Sequence, residues 1–161
     1  ARDYKVIGIE LSPVAAEQFF AENALIPTVS KQGEFAVWDC DGITILVGDF
    51  FHLTPSDLGK IDAVYDRASL IALPPEMRPD YVKHIHSLLD DGTQTLLVTM
   101  EYDQSQMNGP PFSVHEEEVR ALYATSEQID TLLTLDILPE SPELERRGIT
   151  SLIEKVYQLT L

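Results

Sequence analysis

Three polar segments stand where apolar runs stop, and their residue types suit a nucleotide-like ligand. Glu10 follows Val6-Ile7-Gly8-Ile9, Asp49-Phe50 follows Ile43 to Gly48, and Asp66-Arg67 follows a run from Ile61 to Tyr65. A carboxylate offers two acceptor oxygens to a pair of ribose hydroxyls. An acid at a strand tip does this work in dinucleotide-binding α/β folds. Asp49 and Phe50 suit an adenine ring, one by polar contact and the other by packing on its face. Arg67 suits a carboxylate or another anionic acceptor, because a guanidinium presents a planar fork of donors. Each segment also has a plainer reading. A strand-end acid caps the helix that follows, and Asp66-Arg67 forms a local ion pair, which contributes only about 0–1 kcal/mol when exposed.

The elements that must position these residues alternate along the chain. Residues 5–10 read as a buried strand. Ser12 and Pro13 then suit the N-cap and first position of a helix whose apolar face holds Val14, Ala15, Phe19 and Phe20. Residues 24–32 read as a connection punctuated by Pro27 and Gly33. Residues 35–38 and 43–47 read as strands joined by Asp41-Gly42, a strong hairpin signal. Thr54 to Asp57 reads as a short helical turn, and residues 61–65 as a strand. Pro74-Pro75 opens a helix marked by Met77, Tyr81, Ile85, Leu88 and Leu89, which Asp91-Gly92 ends. A strand over 93–100, a loop to Phe112 and a helix over 114–123 follow. Residues 129–137 and 152–159 read as an antiparallel pair of late strands. Alternation of this kind predicts a doubly wound, mostly parallel sheet with helices on both faces, closed by that antiparallel C-terminal edge. Ligands bind such sheets at the carboxyl ends of the strands, so Glu10, Asp49 and Asp66-Arg67 are expected to line one crevice. The glycine-rich turn that precedes the ribose acid by about 20 residues in dinucleotide-binding folds has no place ahead of Glu10.

Composition narrows the class. The chain has 161 residues, 44% hydrophobic, with 27 acids against 11 Lys and Arg and a formal charge of −16. One domain of ordinary soluble composition fits this length. So anionic a surface argues against nucleic acid and anionic membranes as partners. A lone cysteine, Cys40, excludes an internal disulfide and a Cys-rich zinc site and fits a cytoplasmic protein. His52, His84, His86 and His115 lack metal-ligand spacing and read as surface residues; no metal is expected. No Gly-x-Ser-x-Gly elbow or Walker loop is present.

The same segments resemble a known family. Val6-Ile7-Gly8-Ile9-Glu10-Leu11-Ser12, Gly48-Asp49-Phe50-Phe51, the run from Tyr65-Asp66-Arg67-Ala68 to Pro74, Gly109-Pro110-Pro111-Phe112-Ser113-Val114, and the tail from Glu145-Arg146-Arg147-Gly148 to Tyr157 are similar to the thiopurine S-methyltransferases, most closely their bacterial branch. The resemblance covers essentially the whole chain. It implies a class I methyltransferase-like fold and S-adenosyl-L-methionine as cofactor. It also implies methylation of sulfur on aromatic or heterocyclic thiols, with selenium and tellurium compounds as further acceptors. By position, Glu10 would bind the cofactor ribose, Asp49 and Phe50 would lie against adenine, and Arg67 would lie near the methionyl end and the acceptor, as the catalytic residue. The family also uses a C-terminal arginine on the acceptor side, for which Arg146 or Arg147 is the candidate. Family members begin with a Trp-containing segment and a strand running into a Leu-Cys-Gly-Lys-Ser-type turn. Residues 1–161 hold no counterpart, so the expectation is a single methyltransferase-like domain, N-terminally incomplete, that binds cofactor poorly alone.

Methyl transfer from a sulfonium needs little from side chains beyond placement of the acceptor sulfur. Arg67 would favour the thiolate over the thiol by charge pairing. The expected partner is a small-molecule thiol met by a monomer. Two other readings stay open from the residues: a catalytically inactive methyltransferase-like binding or structural domain, and a nucleotide-dependent oxidoreductase whose NAD ribose Glu10 would suit equally.

Overall fold

The structure is a computed structural model that describes residues 4–161. The chain forms two compact units, Ala1–Gly59 and Lys60–Leu161.

In the first unit, strand β1 (Val6–Glu10) leads through helix α1 (Pro13–Glu22) to β2 (Thr28–Gln32), β3 (Phe35–Cys40) and β4 (Ile43–Val47). The sheet order is β1-β4-β3-β2. β1 and β4 run parallel, with Glu10 opposite Val47, while the other pairs are antiparallel. Asp41 and Gly42 adopt φ values of 51° and 82°, the left-handed conformations that a two-residue hairpin of the expected kind demands. Ser12 accepts a hydrogen bond from the Ala15 N–H, as an N-cap should. Ala16 and Phe20 of α1 bury themselves on Ile45 and Val47. The Phe20 ring stacks on Trp38 with centroids 6.0 Å apart.

Three sequence expectations change here. Helix α1 buries Ala16 and Phe20, while Val14 and Phe19 of the expected apolar face are exposed. Residues 28–32 form an edge strand rather than a connection. All five are exposed, so they lack the alternation by which a half-buried strand is recognised. Strand β1, expected to be buried, is half-buried, with Val6 exposed. Among the described residues its hydrogen-bonded neighbour is β4.

The second unit contains α2's successor strand β5 (Ala63–Arg67), after the four-residue helix α2 (Pro55–Leu58) that closes the first. Then come α3 (Arg78–Leu88), β6 (Gln94–Glu101), α4 (Glu116–Leu122), β7 (Gln128–Asp136), α5 (Pro142–Arg146) and β8 (Ile153–Thr160). The order is β5-β6-β8-β7, with β5 and β6 parallel and the remaining pairs antiparallel. The expected antiparallel end of the sheet is therefore present. Tyr81, Val82, Ile85 and Leu88 form the buried face of α3, at the spacing read from the sequence. Residues 75–77 make a separate 3₁₀ turn before α3, and Met77 is partly exposed. His86, expected at the surface, is half-buried. Its ring centroid lies 6.0 Å from that of Tyr123, and burial lowers its pKa.

Arg78 is 1% exposed. Its Nε donates to the Leu73 carbonyl at 3.0 Å, and its Nη1 donates to Glu118 Oε1 at 2.7 Å. Its guanidinium lies 5.9 Å from the centre of the Phe112 ring. One side chain thus joins the turn before α3, the loop after β6, and α4. Breaking a buried pair leaves its partners uncompensated and costs roughly 3–5 kcal/mol. Arg78→Ala is therefore expected to lower the midpoint of urea unfolding sharply. Glu118→Gln, at a position one-third exposed and able to keep a hydrogen bond, should lower it less.

Candidate functional site

Parallel pairing of β1 with β4 sets Glu10 and Asp49 side by side in the first unit. The Gly48 N–H donates to the Glu10 carbonyl at 2.9 Å, so Asp49 follows directly from the residue that Glu10 holds. Gly48 is required by packing: a Cβ there would stand 2.5 Å from the buried Phe35 ring. Glu10 Oε1 accepts the Ser12 N–H at 2.8 Å. The helix-capping role and a ligand role are compatible, because Oε2 has no partner among the described residues. Asp49 is exposed and does likewise, accepting the Phe51 N–H at 2.9 Å through Oδ1. Phe50 is half-buried and meets Phe51 edge-on, with centroids 5.5 Å apart.

In the second unit, the carboxyl ends of β5 and β6 border a cavity of about 530 Å³, within the usual size range of small-molecule sites. Ile71, Val98, Met100, Ile137 and Leu144 supply apolar wall, and Pro110 and Pro111 border it from the loop after β6. That loop is pinned by backbone bonds: the Phe112 N–H to the Ile71 carbonyl at 2.7 Å and the Val114 N–H to the Met100 carbonyl at 2.9 Å. The Tyr102 hydroxyl donates to the Pro111 carbonyl at 2.7 Å. Gly109 has φ +75°, and a Cβ on it would stand 2.5 Å from the Phe112 ring. This accounts for the glycine of the Gly-Pro-Pro-Phe segment.

Arg67 borders this cavity, and its side chain is 62% exposed. It does not pair with Asp66; adjacent strand residues point to opposite faces. Its partner is Glu154, with Nη2 to Oε2 at 3.7 Å. Asp66 turns inward, 2% exposed, where it accepts the Tyr81 hydroxyl at 2.8 Å and the Leu70 N–H at 3.3 Å. These bonds hold the turn through Ala68, whose φ is +70°, and so fix where Arg67 leaves the strand. Arg146 and Arg147, the acceptor-side candidates, are exposed and do not border the cavity. Arg146 Nε donates to the Pro142 carbonyl of its own helix, and it is Ser141 and Leu144 of this segment that reach the cavity. Glu10, Asp49 and Phe50 thus belong to one unit and Arg67 to the other.

Glu154 was not singled out from the sequence, yet the signal was there. A final antiparallel strand must begin at the edge where the parallel strands end. Its neighbour Lys155 bonds Glu101 at 3.0 Å and Glu116 at 2.9 Å. The bond to Glu116 holds the Lys155 ammonium in its charged form well above its usual range and lowers the Glu116 carboxyl. No group of three or more metal-ligating side chains gathers among the described residues, and no described helix is long and apolar enough to cross a membrane.

The fold belongs to the class of S-adenosylmethionine-dependent methyltransferases. An arsenic(III) S-adenosylmethionine methyltransferase from Chlamydomonas reinhardtii superposes with a TM-score of 0.63 at 15% identity, over 98% of this chain and 55% of that one. The family is narrower: the family model for thiopurine S-methyltransferase matches residues 1–161, and the chain belongs to that family. It is 46% identical over 158 residues to the thiopurine S-methyltransferase of Nitrosospira multiformis and 45% identical over 157 residues to that of Pseudomonas fluorescens. Each comparison covers 98% of this chain and 72% of the relative. The protein is accordingly an S-adenosylmethionine-dependent S-methyltransferase with a small-molecule acceptor.

Asp66 makes the pH dependence of the fold testable. Burial raises its pKa from 3.8, opposed by the hydrogen bonds from Tyr81 and Leu70. A carboxyl with a raised folded-state pKa binds more protons folded than unfolded. Its contribution is full below 3.8 and is lost as pH rises through the folded-state value. The stability of the protein minus that of Asp66→Asn, measured by urea unfolding, is expected to fall as pH rises from 3.8 through the folded-state value. A difference that rises over this range would reverse the assignment.

Proposed function

We propose that the protein methylates the sulfur of small aromatic or heterocyclic thiols, with the cavity beside β5, β6 and β8 receiving the acceptor. The observation that carries this reading is the cavity itself: an open, mostly apolar hollow with Arg67 on its border, at the strand ends where this class of sheet binds ligands. S-Adenosylmethionine supplies an already activated methyl group. The chain's residues would bind and orient. The Glu10 carboxylate would accept the ribose hydroxyls, Asp49 would meet the polar edge of adenine, and Phe50 would pack on its face. Arg67 would stabilise the acceptor as thiolate, the form that attacks. The cavity walls would hold the ring so that its sulfur meets the methyl in line, which is where most of the rate comes from in such a transfer. Selenium and tellurium analogues share this chemistry, being soft anionic nucleophiles of similar shape.

Among the described residues Arg67 supplies the cation at the cavity border, and Arg146 and Arg147 lie off it. A monomer working in the cytoplasm on a diffusing small molecule completes the reading. Its support is the formal charge of −16 and the single cysteine, which suit neither anionic polymers nor an oxidising compartment.

Glu10→Gln keeps an oxygen for the Ser12 N–H but loses a charged acceptor, so its affinity for S-adenosylhomocysteine should fall about 10- to 100-fold, read by calorimetry. Arg67→Ala should lower kcat/KM for a thiophenol about 10- to 100-fold while unfolding stability changes by less than about 1 kcal/mol. Unchanged turnover in Arg67→Ala would remove the arginine from the chemistry.

A further inference from the structure

We infer that Glu154 is a specificity-determining residue that turns away acceptors bearing a second negative charge. The inference rests on the proposed thiol methylation, because it treats the β5–β6–β8 cavity as the acceptor site. Among the described residues two ionic side chains border that cavity, Arg67 and Glu154, in a wall otherwise made mostly of apolar residues. Glu154 is the more sheltered of the two, at 20% exposure against 62% for Arg67. The 3.7 Å separation is an ion pair without a short hydrogen bond. Lys155 does not compensate Glu154: it lies on the opposite face of β8 and is already held by Glu101 and Glu116. The cavity border therefore carries one positive and one negative charge.

An anionic sulfur can approach Arg67 and satisfy it. A second anionic group on the same ring, such as a carboxylate, meets a border with no cation left and one carboxylate facing it. A neutral ring, or one with an N–H donor, meets an acceptor instead. Glu154 thus sets the preferred class as aromatic thiols that are neutral apart from the sulfur. The formal charge of −16 on the chain acts in the same sense at longer range, but salt screens that part more strongly.

The test compares 4-mercaptobenzoate with 4-mercaptobenzamide, which differ in charge and little in shape. In the unaltered protein kcat/KM should favour the amide about tenfold or more, the size expected of one solvent-screened charge–charge interaction. In Glu154→Gln the preference should shrink about tenfold, mainly through a lower KM for the benzoate. Glu154→Asp, which keeps the charge, should keep the preference. Because each ratio is taken within one protein, a loss of folded material cancels. The same preference in all three proteins would overturn the inference. Turnover of neither thiol by the unaltered protein would instead overturn the proposed methylation. The role of Glu154 would then be decided by the relative binding of benzoate and benzamide, which in Glu154→Gln should shift toward benzoate and whose constancy would overturn it.

Discussion

Parallel strand pairing is the constraint on which the rest of the structure depends. Two parallel neighbours must leave the sheet at the same edge, whatever their side chains. β1 and β4 do so at Glu10 and Asp49; β5 and β6 do so at Arg67 and Glu101. The antiparallel β8 then has to begin where β6 ends, with Glu154 opposite Met100. Residues distant in sequence become neighbours through backbone register alone, and the polar ones fall at the edge because the strand interiors are needed for packing. The site is thus a by-product of topology, and local loops only refine it.

That refinement is done by buried polar groups standing behind the site. Arg78 joins the Leu73 carbonyl, Glu118 and the face of Phe112. Asp66 joins Tyr81 and the turn at Leu70. Neither borders the cavity, yet together they fix both the turn from which Arg67 emerges and the loop that presents Pro110 and Pro111. An apolar side chain would fill the same space at less desolvation cost, but it would leave the turn's N–H and carbonyl groups unpaired and free to choose another arrangement. Removing such partners costs about 1–3 kcal/mol for each orphaned group. The segment from Asp66 to Pro74 is therefore better understood as a scaffold that fixes where Arg67 leaves the strand than as a cluster of ligand contacts.

The sequence made the strand ends legible because apolar runs stop abruptly there, and the Asp41-Gly42 turn because only a few residue types accept its backbone angles. Helix α3 was legible from its 3.6-residue period. Strand β2 was not, since an edge strand exposed along its whole length shows no alternation. The half-burial of β1 is not written in Val-Ile-Gly-Ile, which states only what the strand can bury. Adjacent Asp66 and Arg67 looked like partners on a line of text. The pleat separates them and gives each a distant partner, Tyr81 in one case and Glu154 in the other. The tail arginines illustrate the limit of positional reasoning on a helix, where residues two apart face different directions: Leu144 reaches the cavity and Arg146 does not.

In the proposed reaction the ion pair at the cavity border would bear on rate as well as selection. In the proposed reaction a positively charged methyl donor meets a negatively charged sulfur, and both charges fade toward the transition state. Apolar walls such as Ile71, Val98 and Met100 would offer those charges fewer polar contacts than bulk water does, which raises the reactants relative to the transition state. An unopposed buried arginine would do the reverse, holding the thiolate so firmly that its charge became costly to give up, since tight ground-state binding adds nothing to the chemical step. Arg67 avoids this in two ways: it is largely open to solvent, and Glu154 takes part of its field. A weak, balanced cation favours ionisation of the thiol without trapping the product of that ionisation. In the proposed reaction the carboxylate that would restrict the acceptor would thus also temper the arginine that would activate it.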